Sequence, residues 1–254
     1  MLTIIPVPAF MDNYIWMLTR NGYAVAIDPG DAQVVIDWLE KTGHQLSAIL
    51  NTHHHQDHTG GNAKLQERFQ IPIYGPANDP IPALTRKLKE GDSLGLDEIS
   101  LTLRVIDIPG HTLGHIGYIG DNFVFCGDTL FAAGCGRVFE GTPAMMLASL
   151  DKLASLPNAT KVYCAHEYTL SNLQFALQIE PQNQDLQLFN KQSEILRKQN
   201  LPTIPTTIET EKKINPFLRC RAQNVATTAH KLYAANVHDP VSVFSSLREA
   251  KNSF

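Results

Sequence analysis

The segment Thr52-His53-His54-His55-Gln56-Asp57-His58 crowds imidazoles and a carboxylate into one short stretch, followed by Thr59-Gly60-Gly61. His53 and His55 are two residues apart, so in an extended chain they face the same way and His54 faces the other. Asp57 and His58 come next, on a turn, and present a carboxylate and an imidazole to a second point in space. One loop thus offers two pairs of metal ligands. Imidazole with carboxylate suits Zn, Fe or Mn. Three consecutive histidines alone would read as a solvated turn; Asp57-His58 at this offset argues for metal.

A metal site needs further protein ligands. Three candidates each follow an apolar, strand-like run: His111 after Ile108-Pro109-Gly110, Asp128 after Phe125-Cys126-Gly127, and His166 after Tyr163-Cys164-Ala165. Strand ends and the loops beyond them are where a rigid scaffold carries chemistry. Five histidines and two aspartates suffice for two metal ions, each with three terminal ligands, sharing one bridging carboxylate. His54 reads as a packing or supporting residue, and His115 as structural. His44, His230 and His238 read as ordinary surface or core residues. Cys126 and Cys135 lie near Asp128 in sequence, but buried cysteine is common and packing is the expected role.

The elements that must position these residues alternate between strand and helix over the first two thirds of the chain. Leu2–Ile5, Tyr14–Leu18 and Tyr23–Ile27 read as strands. Asp31 is a helix cap, followed by Val34, Val35, Trp38 and Leu39 on one face. Leu46–Leu50 is a strand running straight into the histidine cluster. Asn62–Phe69 reads as a helix, and Ile71–Tyr74 and Ile99–Ile108 as strands. Ile116–Ile119 and Phe123–Cys126 flank a Gly120-Asp121-Asn122 hairpin turn. Thr142-Pro143 caps a helix whose stripe is Met146, Leu147, Leu150 and Leu153, and Lys161–Cys164 is one more strand. Beyond His166 the chain turns rich in Gln, Asn and Leu and looks helical to residue 200. A Pro/Thr segment (Leu201–Thr207) and two short helices follow, the last begun by Asp239-Pro240. The expected division is residues 1–166, an α/β metal-binding domain, and 167–254, a helical substrate-binding domain.

With 254 residues the chain can bury a substantial core. Its 21 Lys+Arg and 25 Asp+Glu leave a net charge of −4, which provides no global field for nucleic acid. No apolar run reaches membrane-spanning length, and Met1–Trp16 lacks the basic start of a signal peptide. The four cysteines form no CxxC pair. A reduced, cytoplasmic protein that binds neither nucleic acid nor membrane is expected, and a monomer.

The constellation His53-x-His55-x-Asp57-His58 with His111, Asp128 and His166 resembles the metallo-β-lactamase superfamily. Within it, the glyoxalase II family (hydroxyacylglutathione hydrolases) is most similar. The supporting segments are Thr52–Gly61, Pro109–Thr112, Gly127–Phe131, Gly134–Arg137, Ala165–Thr169 and Asn215–Arg219. The resemblance implies an αββα metallo-β-lactamase-like sandwich with an α-helical C-terminal domain. It also implies two divalent metal ions, zinc first, with iron or manganese as alternatives. The first metal would take His53, His55 and His111, and the second Asp57, His58 and His166. Asp128 and a hydroxide would bridge them, with Asp57 and Asp128 orienting that hydroxide. The implied reaction is hydrolysis of S-D-lactoylglutathione to glutathione and D-lactate, the second step of methylglyoxal detoxification.

The family's glutathione contacts map to Arg137, Tyr168, Arg248 and Lys251. Phe139 stands where the family often has tyrosine, which removes a hydroxyl from the substrate site. Without the resemblance, Arg248 and Lys251 would read as surface charges sharing one helix face. An acidic chain that binds an anionic tripeptide depends on such placed cations. A persulfide dioxygenase with one iron and a lactonase with no cationic rim are alternative readings on the same scaffold. A non-catalytic metal module is disfavoured, because structural zinc sites are closed and cysteine-rich.

Overall fold

Burial on both faces marks the strands that carry the metal loop. In the computed structural model, which describes all 254 residues, β1 (Thr3–Ala9), β2 (Asn13–Arg20) and β3 (Tyr23–Ile27) form an antiparallel meander. Parallel strands β4 (Gln45–Leu50), β5 (Ile73–Pro76) and β6 (Arg86–Leu88) continue the sheet in the order β1-β2-β3-β4-β5-β6. Nearly every residue of β2 is buried, the pattern of a strand covered on both sides. One face packs Ile15, Met17, Ala24 and Ala26 against Val35, Ile36 and Leu39 of α1 (Ala32–Thr42) and Leu65 of α3 (Asn62–Phe69). Each of the larger side chains among these contributes about 1.5–3 kcal/mol by leaving water. Asp31 caps α1, its Oδ1 accepting from Gln33 N at 2.8 Å, and Gly43 ends the helix in the left-handed region at φ 73°.

The second set of strands is antiparallel: β7 (Ser93–Leu96), β8 (Leu101–Asp107), β9 (Ile116–Ile119) and β10 (Phe123–Gly127). The Gly120 N–H bonds Phe123 O at 2.9 Å and closes the expected β9–β10 hairpin. The strand expected from Ile99 starts at Leu101 instead. Asp97–Ile99 form a 3-10 turn that ends at Ser100 with φ 48°, and the ladder cannot begin before it. Likewise the strand expected at Ile71–Tyr74 is paired only from Ile73. Two contacts tie this sheet to the end of β4. Tyr118 donates its hydroxyl to Asn51 O at 2.7 Å, and the Ile116 N–H bonds Thr52 O at 2.9 Å. The loop starting at Thr52 is therefore anchored at its base.

By packing, these strands belong to one compact unit, Met1–Asp107 with Thr112–Gly127; the other comprises Ile108–His111 and Asp128–Phe254. The second unit contains a tight hairpin, β11 (Leu130–Phe131) and β12 (Gly134–Cys135), and a strand pair, β13 (Lys161–Cys164) and β14 (Thr206–Thr207). Its helices are α4 (Pro143–Ala154), α5 (Thr169–Ile179), α6 (Gln184–Lys198), α7 (Ile208–Ile214), α8 (Gln223–Tyr233) and α9 (Pro240–Asn252). Thr142 and Asp239 cap α4 and α9, each followed by proline at the first helical position. Phe217 lies between Phe175 and Phe244, with ring centroids 6.1 and 5.7 Å away, at the middle of this helical core. Three helices rather than two follow the Pro/Thr segment. The extra one, α7, has seven residues, too few for a helical period to show in sequence.

Candidate metal centre

The metal loop begins where β4 ends and turns at once into a four-residue helix, α2 (Gln56–Thr59), capped by His55. His53 and His58 are buried, while His55 and Asp57 are partly open. The turn Asp28-Pro29-Gly30 packs directly beneath this loop. A Cβ on Gly30 would collide with the Asp57 carbonyl, so glycine is required for the close approach.

Asp28 organises the loop. Its Oδ1 accepts the Thr52 N–H at 2.7 Å, and its Oδ2 accepts the Thr52 hydroxyl at 2.7 Å. With that proton committed, Thr52 Oγ1 acts as acceptor toward His53 Nδ1, 3.0 Å away. Asp28 Oδ2 also accepts from His58 Nδ1 at 3.2 Å. In the neutral imidazoles both rings thus carry hydrogen on Nδ1 and a lone pair on Nε2. His53 Nε2 faces His55 Nδ1 at 3.1 Å, and His58 Nε2 faces Asp57 Oδ2 at 3.3 Å. The same Asp57 oxygen is held by Asn13 Nδ2 at 3.0 Å.

The second unit repeats this arrangement. His111 donates from Nδ1 to the Arg137 carbonyl at 2.8 Å, which leaves its Nε2 facing Asp128 Oδ2 at 3.4 Å. His166 Nε2 lies 3.4 Å from the other oxygen, Asp128 Oδ1. Asp128, His111 and His166 are all buried. Gly136, just before Arg137, lies so close to the Asp128 backbone carbonyl that a Cβ would overlap it. The chain can therefore fold back and place the Arg137 carbonyl on His111.

This donor chemistry fits divalent metal ions. A lone pair pointed at a carboxylate is repulsive unless a cation lies between the two. Ligand atoms around a tetrahedral ion with bonds near 2.1 Å stand about 3.4 Å apart, close to the 3.1–3.4 Å separations seen within each unit. Asp28, His53 and His58 also cluster, as three buried groups within one unit. The four cysteines form no disulfide, and all are buried. Burial raises the Cys135 thiol to about 11, which keeps it protonated and inert.

The remaining histidines have other partners. His54 turns away from the pair around it and bonds Asp79 Oδ2 through Nδ1 at 3.0 Å. His115 is fully buried and stacks on His53 with centroids 4.7 Å apart. His44 stacks on Trp38, and His230 bonds the Ala235 carbonyl. Neither Asp28 nor Asp79 stands out in the sequence. Asp79 binds His54 and also accepts the Thr112 hydroxyl at 3.0 Å. The pattern Asp-Pro-Gly after an apolar strand was the available signal for Asp28, but only folding shows which imidazole it reaches.

The residues expected to contact glutathione lie in the second unit. Tyr168 stacks on His166 with centroids 4.6 Å apart and planes at 5°. Phe139 is 61% exposed, and its ring centroid lies 5.2 Å from that of His111. Arg137 is exposed. Arg248 is only 7% exposed, so it is no surface charge. Its Nη1 donates to Cys135 O at 2.6 Å, and its guanidinium covers the Phe217 ring. Lys251 bonds Ser171 Oγ at 2.9 Å. Burial, then the neighbouring Arg248 and Arg137, lower its ammonium to about 8. Lys251 therefore feels both arginines.

Comparison with known proteins agrees along the whole length. Residues 10–166 match the metallo-beta-lactamase superfamily, and residues 167–254 match the hydroxyacylglutathione hydrolase C-terminus. The hydroxyacylglutathione hydrolase of Nitrosomonas eutropha is 52% identical over 254 residues, covering 100% of both chains. Among solved structures, the B3 metallo-beta-lactamase BLEG-1 superposes with a TM-score of 0.65 at 26% identity, covering 86% of this chain and 99% of that one. TTHA1623, solved in a di-iron-bound form, superposes at 0.62 with 25% identity, covering 85% and 99%. No helix is long and apolar enough to cross a membrane. The metallo-β-lactamase fold and the match at both ends of the chain place it in the hydroxyacylglutathione hydrolase family.

Proposed function

We propose that this chain hydrolyses S-(2-hydroxyacyl)glutathione thioesters, S-D-lactoylglutathione foremost, to glutathione and a 2-hydroxy acid. This is the second step of methylglyoxal detoxification, and we place it in the cytoplasm, in a monomer. The observation that carries the reading is the set of lone pairs on His58 and His111 turned toward carboxylates, in a chain 52% identical to a hydroxyacylglutathione hydrolase. His53, His55 and His111 would hold one divalent ion, and Asp57, His58 and His166 the other, with Asp128 as a further ligand. Zinc fits the donors, and the di-iron form of a relative supports iron as an alternative.

When bound, such ions supply a water that ionises near pH 7 instead of 15.7 and an electrophile for the thioester carbonyl. The chain's own residues do the rest. Asp57, fixed by Asn13, and Asp128 orient the attacking water. The departing glutathione thiol has a pKa of about 8.5 and leaves as thiolate without a protein acid. Arg137 and Lys251 offer positive charge to the glutathione carboxylates, and Tyr168 and Phe139 offer rings beside it. Residues 1–166 would carry the metals, and 167–254 would add Tyr168 and Lys251 to the substrate contacts.

The test is hydrolysis of S-D-lactoylglutathione, followed at the thioester absorbance, with parallel metal analysis. Turnover with about two metals per chain is expected. A fully metal-loaded protein that leaves the thioester intact would reject the function.

A further inference from the structure

The hairpin of β11 and β12 lies between two residues of the proposed site: Asp128, two positions before it, and Arg137, two positions after. Phe131 pairs with Gly134, so Ala132 and Ala133 form a two-residue turn. Only the second of these has positive φ, 54° at Ala133. That is the sign pattern of a type II turn, whereas short hairpins favour types I′ and II′. The turn is also buried, with Ala133 wholly inaccessible, so its backbone groups must find partners inside the protein.

Side chains of the C-terminal helices provide them. Glu211 Oε2, on α7, accepts the Ala133 N–H at 3.0 Å. Asn215, which ends α7, donates from Nδ2 to Phe131 O at 3.1 Å and Gly134 O at 2.9 Å. Glu211 Oε2 accepts from the same Nδ2 at 2.9 Å, so two hydrogens are shared among three acceptors and the carboxylate aims the amide. Asn172 on α5 donates to Ala132 O at 3.1 Å, and Arg248 on α9 takes Cys135 O. A carboxylate with no exposed surface, set among these groups, is costly to keep in a core. Holding the turn in an otherwise disfavoured shape accounts for it.

We propose that Glu211 is a positioning residue for the thioester hydrolase: through the Ala133 amide and Asn215 it fixes the hairpin that sets Arg137 against the glutathione end of the substrate. The inference rests on the hydrolase reading above. Glu211 touches neither substrate nor metal ligands, and its effect reaches the site through the backbone.

The test compares the metal-loaded wild type with Glu211→Ala, Glu211→Gln and a control, Val225→Ala, which removes buried core volume on α8 and alters none of the side chains that bond the hairpin. Steady-state kinetics on S-D-lactoylglutathione and amide hydrogen exchange of residues 128–137 are read together. Glu211→Ala is expected to raise KM about tenfold, the scale of one lost hydrogen bond to a charged group, with kcat within about threefold. It should also speed exchange in the hairpin. Glu211→Gln keeps an acceptor oxygen and should restore both, and Val225→Ala should change neither. Should Glu211→Ala not fold, Glu211→Asp decides, because it keeps the charge but shortens the reach; raised KM and faster hairpin exchange are again expected. Wild-type KM and exchange in a folded Ala or Asp variant overturn the proposal, as does an equal KM rise in Val225→Ala. A wild type that never cleaves the thioester sinks the hydrolase reading instead, and the exchange data then still decide whether Glu211 holds the hairpin.

Discussion

Asp28 Oδ2 lies 3.2 Å from His58 Nδ1, and the same oxygen accepts the Thr52 hydroxyl that in turn receives His53 Nδ1. One carboxylate thus sets the tautomer of two proposed ligands whose ring centroids lie 4.1 Å apart. Carboxylates behind ligand histidines are worth 10- to 100-fold in metal affinity. Asp28→Ala is therefore expected to weaken binding by about that factor, read by competition with a chromogenic chelator, while the α/β fold persists by circular dichroism. Wild-type affinity in this variant would mean that the Asp28 carboxylate does not orient the rings for metal.

Removing a ligand itself should act more severely. His55→Ala deletes one of the nitrogens that face each other at 3.1 Å. Asp128→Asn replaces one carboxylate oxygen, each of which faces an imidazole Nε2, by an amide nitrogen without a lone pair. In both variants metal content and thioester hydrolysis should fall together. Full activity at normal metal occupancy in either would refute the ligand assignment.

Local chemistry was readable from the sequence, and long-range chemistry was not. The metal loop announces itself because its ligands lie within six consecutive residues. The caps at Asp31, Thr142 and Asp239 act on amides two or three residues away. His111, Asp128 and His166 were found because an apolar strand run precedes each of them. Asp28 reaches His58 across 30 residues and Glu211 reaches Ala133 across 78, and no spacing rule encodes such pairs. Arg248 shows the converse limit of local pattern. Three residues before Lys251 near a helix end, it has the look of a solvated cation, yet the Cys135 carbonyl 113 positions away draws it into the core. The strands of the β11–β12 hairpin are two residues each, below the length at which alternation can appear.

That burial changes what a charge reversal at Arg248 measures. Arg248→Glu would set a carboxylate against the Cys135 carbonyl, and an uncompensated buried charge costs about 3–5 kcal/mol. A higher KM would then come with a lower Tm. Lys251 separates the two effects, being half-buried at the helix end. Its ammonium is lowered to about 8 from 10.5, so its charge is present at pH 7 and is lost as pH rises past 8. KM for an anionic glutathione thioester should rise over that interval in the wild type. Lys251→Gln should show a KM raised about fivefold at pH 7, the upper range for an exposed ion pair, with no further rise above pH 8. The folded state disfavours the charged ammonium, so stability should increase as pH climbs from about 8 toward 10.5. Identical KM profiles in wild type and Lys251→Gln would remove Lys251 from the substrate site.

Glu211 predicts a pH dependence of the opposite sense. Burial raises its carboxyl from 4.5 to about 7, with the Thr206 and Asn215 side chains and the Ala133 amide pulling the other way. Between those values the folded protein holds a proton that the unfolded chain releases. Stability must therefore fall as pH rises from 4.5 to 7 and level off above. A shift of this size corresponds to about 3 kcal/mol. Glu211→Gln cannot ionise, yet it keeps an oxygen for the Ala133 amide. Its stability relative to wild type should accordingly grow between pH 5 and pH 7.5, by an amount approaching that figure. Urea midpoints measured for both proteins at the two pH values read the difference directly, because titration of the metal ligands is common to both and cancels. Parallel pH profiles would show that Glu211 is ionised in the core across the whole range, and that the hairpin amide and Asn215 together stabilise its charge.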